Sequence, residues 1–285
     1  MDVSIIIVSY NTSFLLQECL ASLRLSTDIK NEVFVIDNCS IDNSVQIVAE
    51  KFSEARLVVN NENKGFGVAS NQVLNDCRGR YIVFLNPDTK VKPDTLKNAV
   101  TFMDANQHIG LAGAKILNPD GTLQESVSYR YPGEKFTSGE TETLKGNIAC
   151  VLGAFMIARK KLITTIGGFD EDYFLYGEDQ DLAWRIREKG FCIGYIEGSE
   201  VFHWGGQSEA GTPPIALFEK KIKAEYLFYS KHYKSDTIAR IKRSEKLKAL
   251  YRLITLSMTM PFIRNRIKLQ DKIDRYRLIY DMTKS

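Results

Sequence analysis

Four short polar runs stand directly behind apolar runs in the N-terminal third of the chain. They are Ser9-Tyr10-Asn11-Thr12, Asp37-Asn38-Cys39-Ser40-Ile41-Asp42, Asn60-Asn61-Glu62-Asn63-Lys64-Gly65-Phe66-Gly67 and Asn86-Pro87-Asp88-Thr89. Asn, Asp and Ser in such places hydrogen-bond either a bound molecule or the backbone of the next turn or helix. Taken singly, each run reads most simply as a cap. Together, at one edge of one sheet, they read as a ligand crevice, because ligands of open α/β sheets sit beyond the carboxyl ends of the strands. The ligand is not a dinucleotide held in the Rossmann manner, which needs G-x-G-x-x-G directly after the first strand. Tyr10-Asn11-Thr12 stands there instead, and Gly65-Phe66-Gly67 follows the third strand without a third glycine. A Walker A loop is also absent.

The elements that must position these runs alternate in period. Val3–Ser9, Val33–Ile36, Arg56–Val59, Tyr81–Leu85 and Leu111–Leu117 are short apolar runs that predict buried strands. Between them, Ser13–Arg24, Asn43–Phe52, Gly67–Cys77 and Pro93–Ala105 carry apolar residues at helical spacing, the last opened by a proline. That alternation predicts a mostly parallel α/β sheet with helices on both faces. Beyond it, Asn118-Pro119-Asp120-Gly121 is a turn, Thr122–Tyr129 is strand-like, and residues 131–147 read as a mobile loop. Cys150–Ala158 predicts a strand, Lys160–Ile166 a short helix, and Glu178–Lys189 an amphipathic helix stopped by Gly190. Phe191–Ile196 and Glu200–Trp204 predict two further strands, Gly205–Pro214 a linker, and 215–282 a helical segment.

Several motifs recur here in a familiar order. They are Ser4-Ile5-Ile6-Ile7-Val8-Ser9-Tyr10-Asn11, Asp37-Asn38-x-Ser40-x-Asp42, Asn63-Lys64-Gly65-Phe66-Gly67-x-Ala69-x-Asn71, and Phe84-Leu85-Asn86-Pro87-Asp88. Gly167-Gly168-Phe169-Asp170-Glu171 and Gly177-Glu178-Asp179-x-Asp181-Leu182-x-x-Arg185 follow. The ordered set, over about residues 3–205, resembles the family 2 inverting glycosyltransferases of GT-A fold, and the Asn-Pro-Asp form is similar to their bacterial rhamnosyltransferase-like branch. The resemblance implies a nucleotide-sugar donor, dTDP-L-rhamnose first and a UDP-hexose as the alternative. It also implies a glycan acceptor carried on a polyprenyl diphosphate, in the assembly of a bacterial surface polysaccharide.

It implies site residues as well. A divalent cation, Mg²⁺ or Mn²⁺, stabilises the charge on a departing diphosphate and prefers carboxylate oxygen. Asp88 is its expected ligand, with His203 completing the shell or touching the diphosphate. Asn86 stands where the family often has an Asp, so it is expected at the cation or at the donor sugar or ribose. Asp37 would accept an imide N–H of the base, without by itself fixing which base. Ser9, Tyr10, Asn11 and Asn38 would wall the nucleoside; Asn63, Lys64 and Asn71 would lie along the donor, with Gly65 and Gly67 letting the backbone approach it. Asp179 is the expected general base for the acceptor hydroxyl, with Glu178 as its substitute. The helix N-terminus favours the Asp179 anion, whereas Glu178 and Asp181 disfavour it. Asp181 and Arg185 read as an i,i+4 ion pair. Gly153, Ala154 and Trp204 are expected on the acceptor side. Two other readings compete. A nucleotidyltransferase would need a glycine-rich basic loop after the first strand, and a noncatalytic sugar-binding module would not need Asp88, Asp179 and His203 together.

Composition bounds the rest. The chain has 285 residues, is 44% hydrophobic, 26% charged and 11% aromatic, which excludes a disordered chain or a coiled-coil rod. No apolar run is long enough for a membrane span or a signal peptide, so a cytoplasmic location is expected. Five widely spaced cysteines fit neither a disulfide framework nor a zinc site. Charge is unevenly placed: residues 215–285 carry 18 Lys and Arg against 7 Asp and Glu, and residues 1–214 carry 20 against 28. The expected division is therefore a catalytic domain over 1–210 and a basic helical extension over 211–285. Tyr251–Ile263, bounded by Arg252 and Arg264, predicts a segment lying on an anionic membrane surface. A dimerising helical hairpin is the competing reading. Nucleic acid is not an expected partner, since no basic–aromatic module is present.

Overall fold

The computed structural model describes residues 1–26, 28–209, 211–259 and 266–284. Its frame is the set of apolar runs, turned into strands. β1 (Val3–Ser9) pairs in parallel with β2 (Asn31–Asp37) and β4 (Tyr81–Leu85), and β2 with β3 (Arg56–Val59). Helices α1 (Ser13–Arg24), α2 (Ser44–Lys51) and α3 (Phe66–Asn71) make the crossovers. β5 (Thr89–Val91), α4 (Thr95–Ala105) and β6 (Ile109–Leu117) follow. A two-residue strand β7 (Val127–Ser128) then pairs with β8 (Cys150–Val151) in a separate ribbon. β9 (Phe155–Arg159), α5 (Lys160–Thr165), α6 (Glu178–Glu188) and β10 (Cys192–His203) complete the sheet, whose order is β3-β2-β1-β4-β9-β6-β10-β5. Four of its seven pairings are parallel; β9 runs against both β4 and β6, and β5 runs against β10.

Alternation along the strands builds two cores. Ile5, Ile7, Val35 and Val83 face α1, α2 and α4, where Leu16, Leu20, Val48, Leu96 and Met103 are buried. Ile6, Val8, Phe34, Ile36 and Phe84 face the other way, against Ala69, Ile163, Leu182 and Ile186 of α3, α5 and α6. The result is the three-layer α/β arrangement expected for a sheet buried on both faces.

The direction of each strand decides what lies at which edge. β1, β2, β3 and β4 all point their carboxyl ends the same way, and so do β6 and β10. β9, being antiparallel, starts at that same edge. One edge therefore collects residues 9–12, 37–42, 60–67 and 86–88, the Gly153-Ala154 turn before β9, and His203 at the end of β10.

Several elements differ from expectation. The helix expected over Gly67–Cys77 ends at Asn71 and gives way to turns. The strand expected over Cys150–Ala158 is broken at Leu152-Gly153-Ala154, its first part joining the small ribbon. The two strands expected over 191–204 are one strand with an irregularity between Ile196 and Glu200. β5 has no periodic signal at three residues and was not foreseen.

The chain divides into two compact units. The first is 1–131 with 144–210, and the second joins 132–143 to 211–285. The second is helical: α7 (Pro214–His232), α8 (Ser235–Thr259) and α9 (Arg266–Met282) pack on one another. Residues 132–143, expected as a mobile loop, are tied to these helices. Tyr233 donates its hydroxyl to Pro132 O at 2.6 Å, Thr237 to Glu140 Oε1 at 2.6 Å, and Arg240 donates to Phe136 O at 2.9 Å. Of the expected interfacial stretch, Met260, Phe262, Ile263 and Arg264 lie outside the described residues, as does Ala210 at the expected boundary. Among the described residues no helix is long and apolar enough to cross a membrane.

Candidate active site

Asp88 and His203 are brought together by a strand of three residues. Asn86 N–H donates to Ala154 O at 3.0 Å as β4 ends, and Thr89 closes the turn by donating its hydroxyl to Asn86 O. β5 then runs antiparallel to the end of β10, with Thr89 opposite His203 and Trp204 N–H donating to Asp88 O at 3.0 Å. Both side chains are buried, and His203 Nε2 stands 3.4 Å from Asp88 Oδ1. The other ring nitrogen, Nδ1, is 2.9 Å from Gln124 Oε1. An amide oxygen only accepts, so Nδ1 donates in that contact and Nε2 is the ring atom that faces Asp88. Nε2 has no hydrogen-bond partner.

A buried ring nitrogen with no partner among the described residues, beside a carboxylate oxygen, fits a shared divalent cation. Two such ligands of an octahedral ion with bonds of about 2.1 Å stand about 3 Å apart. Among the described residues no group of three or more His, Cys, Asp or Glu side chains could hold a metal. The remaining positions of an ion here would fall to water and to phosphate oxygens, the usual arrangement for Mg²⁺.

The second carboxyl centre is of another kind. Gly177, with a left-handed backbone, opens α6, and Glu178 and Asp179 are its first two residues. The break in the strand before β9 sets Gly153 against Asp179: a Cβ on Gly153 would lie 3.9 Å from Asp179 Oδ2. Both carboxyls lie within packed protein although each residue is partly exposed at its outer side. Burial pushes both upward from the usual carboxylate range; for Glu178 the charge of Asp179 adds to it. Backbone N–H groups of Gln180 and Gly153 oppose the rise at Asp179, the first donating to Oδ1 at 2.8 Å. Glu178 Oε2, in contrast, is buried without a partner. The pair therefore favours a proton on Glu178 and the anion on Asp179, which is the state a general base needs. Asp181 and Arg185 do form their ion pair, at 2.7 Å. Arg185 also donates to Ile166 O and Gly168 O, fixing α6 to the loop before it.

The loops after β1, β2 and β3 are woven together. Asp37 is buried; its Oδ2 accepts Ser40 N–H at 2.8 Å and its Oδ1 has no partner. Asn38 is a buried hub, donating to Gly65 O and accepting from the Asn60 amide and Lys64 N–H. Asn63 Oδ1 accepts Gly65 N–H, and Ser9 Oγ is 3.1 Å from Thr12 Oγ1. Asn11, at φ +53°, accepts Ile41 N–H and donates its backbone N–H to Ser40 Oγ. Tyr10, Lys64 and Asn86 are half-buried beside this weave.

Some expected roles are altered by these contacts. Gly65 does allow a close backbone approach, but the approach is to Phe174: at φ +78°, an added Cβ would be 2.3 Å from Phe174 O, which also accepts Phe66 N–H. Gly67 likewise lies against Phe169, where an added Cβ would be 3.0 Å from the Phe169 Cβ. Asn71 is a brace whose amide oxygen accepts Phe169 N–H and whose nitrogen donates to Phe169 O and Glu171. Ala154 is fully buried, whereas Trp204 keeps 38% of its surface exposed. Gln124 and the Phe174 carbonyl do not stand out in the sequence, and Asn60 does so only as part of the polar run behind the third strand. Nothing in the pattern around Gln124 marks it, since it lies in a stretch that reads as strand.

Comparison with known proteins gives this geometry its context. Residues 4–167 match the profile of glycosyl transferase family 2. The chain belongs to this family. As a family 2 glycosyltransferase it has a GT-A-like α/β fold with a mixed sheet and a C-terminal helical extension. It uses a nucleotide-sugar donor and acts on a glycan acceptor. It is similar to the N-acetylglucosaminyl-diphospho-decaprenol L-rhamnosyltransferase of Mycobacterium tuberculosis, at 25% identity over 79% of this chain and 82% of that one. The putative teichuronic acid biosynthesis glycosyltransferase TuaG of Bacillus subtilis is 32% identical over 64% of this chain and 77% of its own length. Among solved structures, the mannosyltransferase PcManGT from Pyrobaculum calidifontis, in complex with GDP-Man and Mn²⁺, is 16% identical. It superposes with a TM-score of 0.59 over 98% of this chain and 86% of that one. S. aureus TarS 1–349 gives 0.55 at 18% identity over 100% and 91%. At these identities the two structures speak for the fold.

Proposed function

We propose that this family 2 glycosyltransferase moves a hexose from a UDP-linked donor, in one inverting displacement, to a hydroxyl of a lipid-linked surface glycan. The observation that carries the reading is the gathering of three differently equipped carboxyl centres, Asp37, Asp88 and Asp179, with one edge of the sheet. Asp37 offers a buried, unpaired oxygen to a base N–H. Asp88 and His203 would hold a divalent cation, which when bound offsets the charge developing on the departing diphosphate. Asp179, kept anionic by backbone donors and by its protonated neighbour, takes the proton of the attacking acceptor hydroxyl. Gly153 leaves open the space beside that carboxylate, and the exposed Trp204 ring supplies an apolar face for a sugar.

The uridine choice is supported by one of the two structures of similar fold, S. aureus TarS, determined with UDP and with UDP-GlcNAc; the other, PcManGT, holds GDP-Man. dTDP-L-rhamnose is the second reading, favoured by the similarity to the mycobacterial rhamnosyltransferase over most of the chain. Ligand-observed NMR tests the two. UDP-glucose, UDP-galactose, UDP-N-acetylglucosamine, dTDP-rhamnose and GDP-mannose are each titrated with and without Mn²⁺. Mn²⁺-dependent binding of a UDP-sugar is the expected result. Binding of dTDP-rhamnose alone would replace the donor while keeping the mechanism, and binding of none would overturn the reading.

A further inference from the structure

Helix α8 has two apolar faces, and among the described residues only one of them is buried. Ile241 and Ala249 are buried and Leu256 half-buried, spaced so that they share one face of the helix with Glu245, whose carboxylate accepts the Tyr226 hydroxyl of α7 at 2.6 Å. On the opposite face stand Leu247, Leu250, Tyr251, Ile254 and Met258, at helical offsets of 3, 4, 7 and 11 from the first. All are exposed, Tyr251 at 65%, Ile254 at 60% and Met258 at 71%. A helix on a protein surface ordinarily presents polar side chains to water. A contiguous apolar stripe of this kind marks a contact site.

The charge around the stripe says what it contacts. Arg243 stands on the same face as the stripe and Lys248 at its border, both exposed. Helix α8 carries two carboxylates, Glu245, which is turned inward, and the exposed Asp236 in its first turn, about three turns before Leu247. The helical unit as a whole, 132–143 with 211–285, carries 19 Lys and Arg against 10 Asp and Glu. An apolar stripe whose nearest charged neighbours on α8 are cations, on a helix lacking the hydropathy of a span, suits the boundary between anionic headgroups and acyl chains.

We propose that the exposed face of α8 is a docking surface for an anionic lipid bilayer, on which the helix lies in the interfacial plane. Leu250, Ile254 and Met258 enter the acyl boundary, and Arg243 and Lys248 meet the headgroups. The inference stands on the helical unit alone and is independent of the donor.

Co-sedimentation of the full chain with vesicles tests it, using phosphatidylcholine alone and phosphatidylcholine mixed with phosphatidylglycerol. Binding is expected only to the mixed vesicles. Arg243→Ala with Lys248→Ala should weaken it about thirtyfold, from the effect of two basic side chains near a charged surface. Ile254→Asp should weaken it at least about tenfold. Because these side chains point away from the packed face, circular dichroism and donor binding should match the unaltered chain. Tyr251→Trp provides a second readout that does not depend on a loss, with emission shifting to the blue when anionic vesicles are added. Equal binding to both vesicle types, or no blue shift, overturns the proposal. If Ile254→Asp instead converts a dimer to a monomer with vesicle binding unchanged, the face belongs to a second copy of the chain and the proposal also falls.

Discussion

Asp88 and Asp179 belong to the same edge of one sheet, yet they are surrounded in opposite ways. Asp88 has a buried imidazole nitrogen 3.4 Å away, on a ring oriented by Gln124. Asp179 has a second carboxyl as its chain neighbour, and burial drives both groups toward holding protons. The first arrangement concentrates electron-pair donors and suits a cation. The second sets up competition for a proton, which the backbone N–H groups of Gln180 and Gly153 resolve in favour of an Asp179 anion. Two residues of one type are thus given different chemistry by what stands beside them.

The largest effect that could break this contrast is at the base. Asp179→Asn should lower kcat by between about 10² and 10⁴, the range for removing a general base, while leaving the affinity for donor and Mn²⁺ unchanged. Steady-state transfer assays with parallel donor titrations measure both. Next comes the cation pair. Asp88→Ala, or chelation of divalent ions by EDTA, should cost about a hundredfold or more in kcat/KM, and excess Mn²⁺ should restore only the chelated enzyme. Gln124→Leu sharpens the comparison by acting through His203. Freed from its partner, the ring can turn or change tautomer, and the apparent Mn²⁺ affinity should fall by roughly 10- to 100-fold in a metal titration.

Far more of the donor edge than of the Asp179 centre was readable before the fold was known. The parallel strands β1 to β4 announce themselves as apolar runs, and the rule that ligands sit at strand ends then locates Asp37 and Asp88 without further help. The partners of those residues are another matter. His203 meets Asp88 only because β5, three residues long, pairs antiparallel with β10, and three residues carry no periodicity. Gln124 reaches His203 across 79 positions of sequence. Gly65 shows a different failure: a close backbone approach was legible there, but the thing it approaches is the Phe174 carbonyl, more than a hundred residues away, and not the donor. Local pattern reveals elements and their ends. Long-range packing decides which polar atom each end will face.

The smallest effect concerns stability. Glu178 holds its proton to a higher pH when folded than when unfolded, so the folded state binds more protons between the ordinary carboxylate range and about pH 8. Stability from this group is therefore lost as pH rises through that window. Glu178→Gln removes the loss. It should raise Tm by roughly 5 °C at pH 8 and change it little near pH 4, as differential scanning fluorimetry across pH would record.

The most direct test of the division of labour is Mn²⁺ binding followed by electron paramagnetic resonance in the presence of UDP. Three proteins are compared, the unaltered chain, Asp88→Ala and Asp179→Asn. The account predicts that Asp88→Ala loses bound Mn²⁺ while Asp179→Asn binds it as the unaltered chain does. Full Mn²⁺ binding by Asp88→Ala together with its loss in Asp179→Asn would contradict the account, and would move the cation to the carboxyl pair on α6.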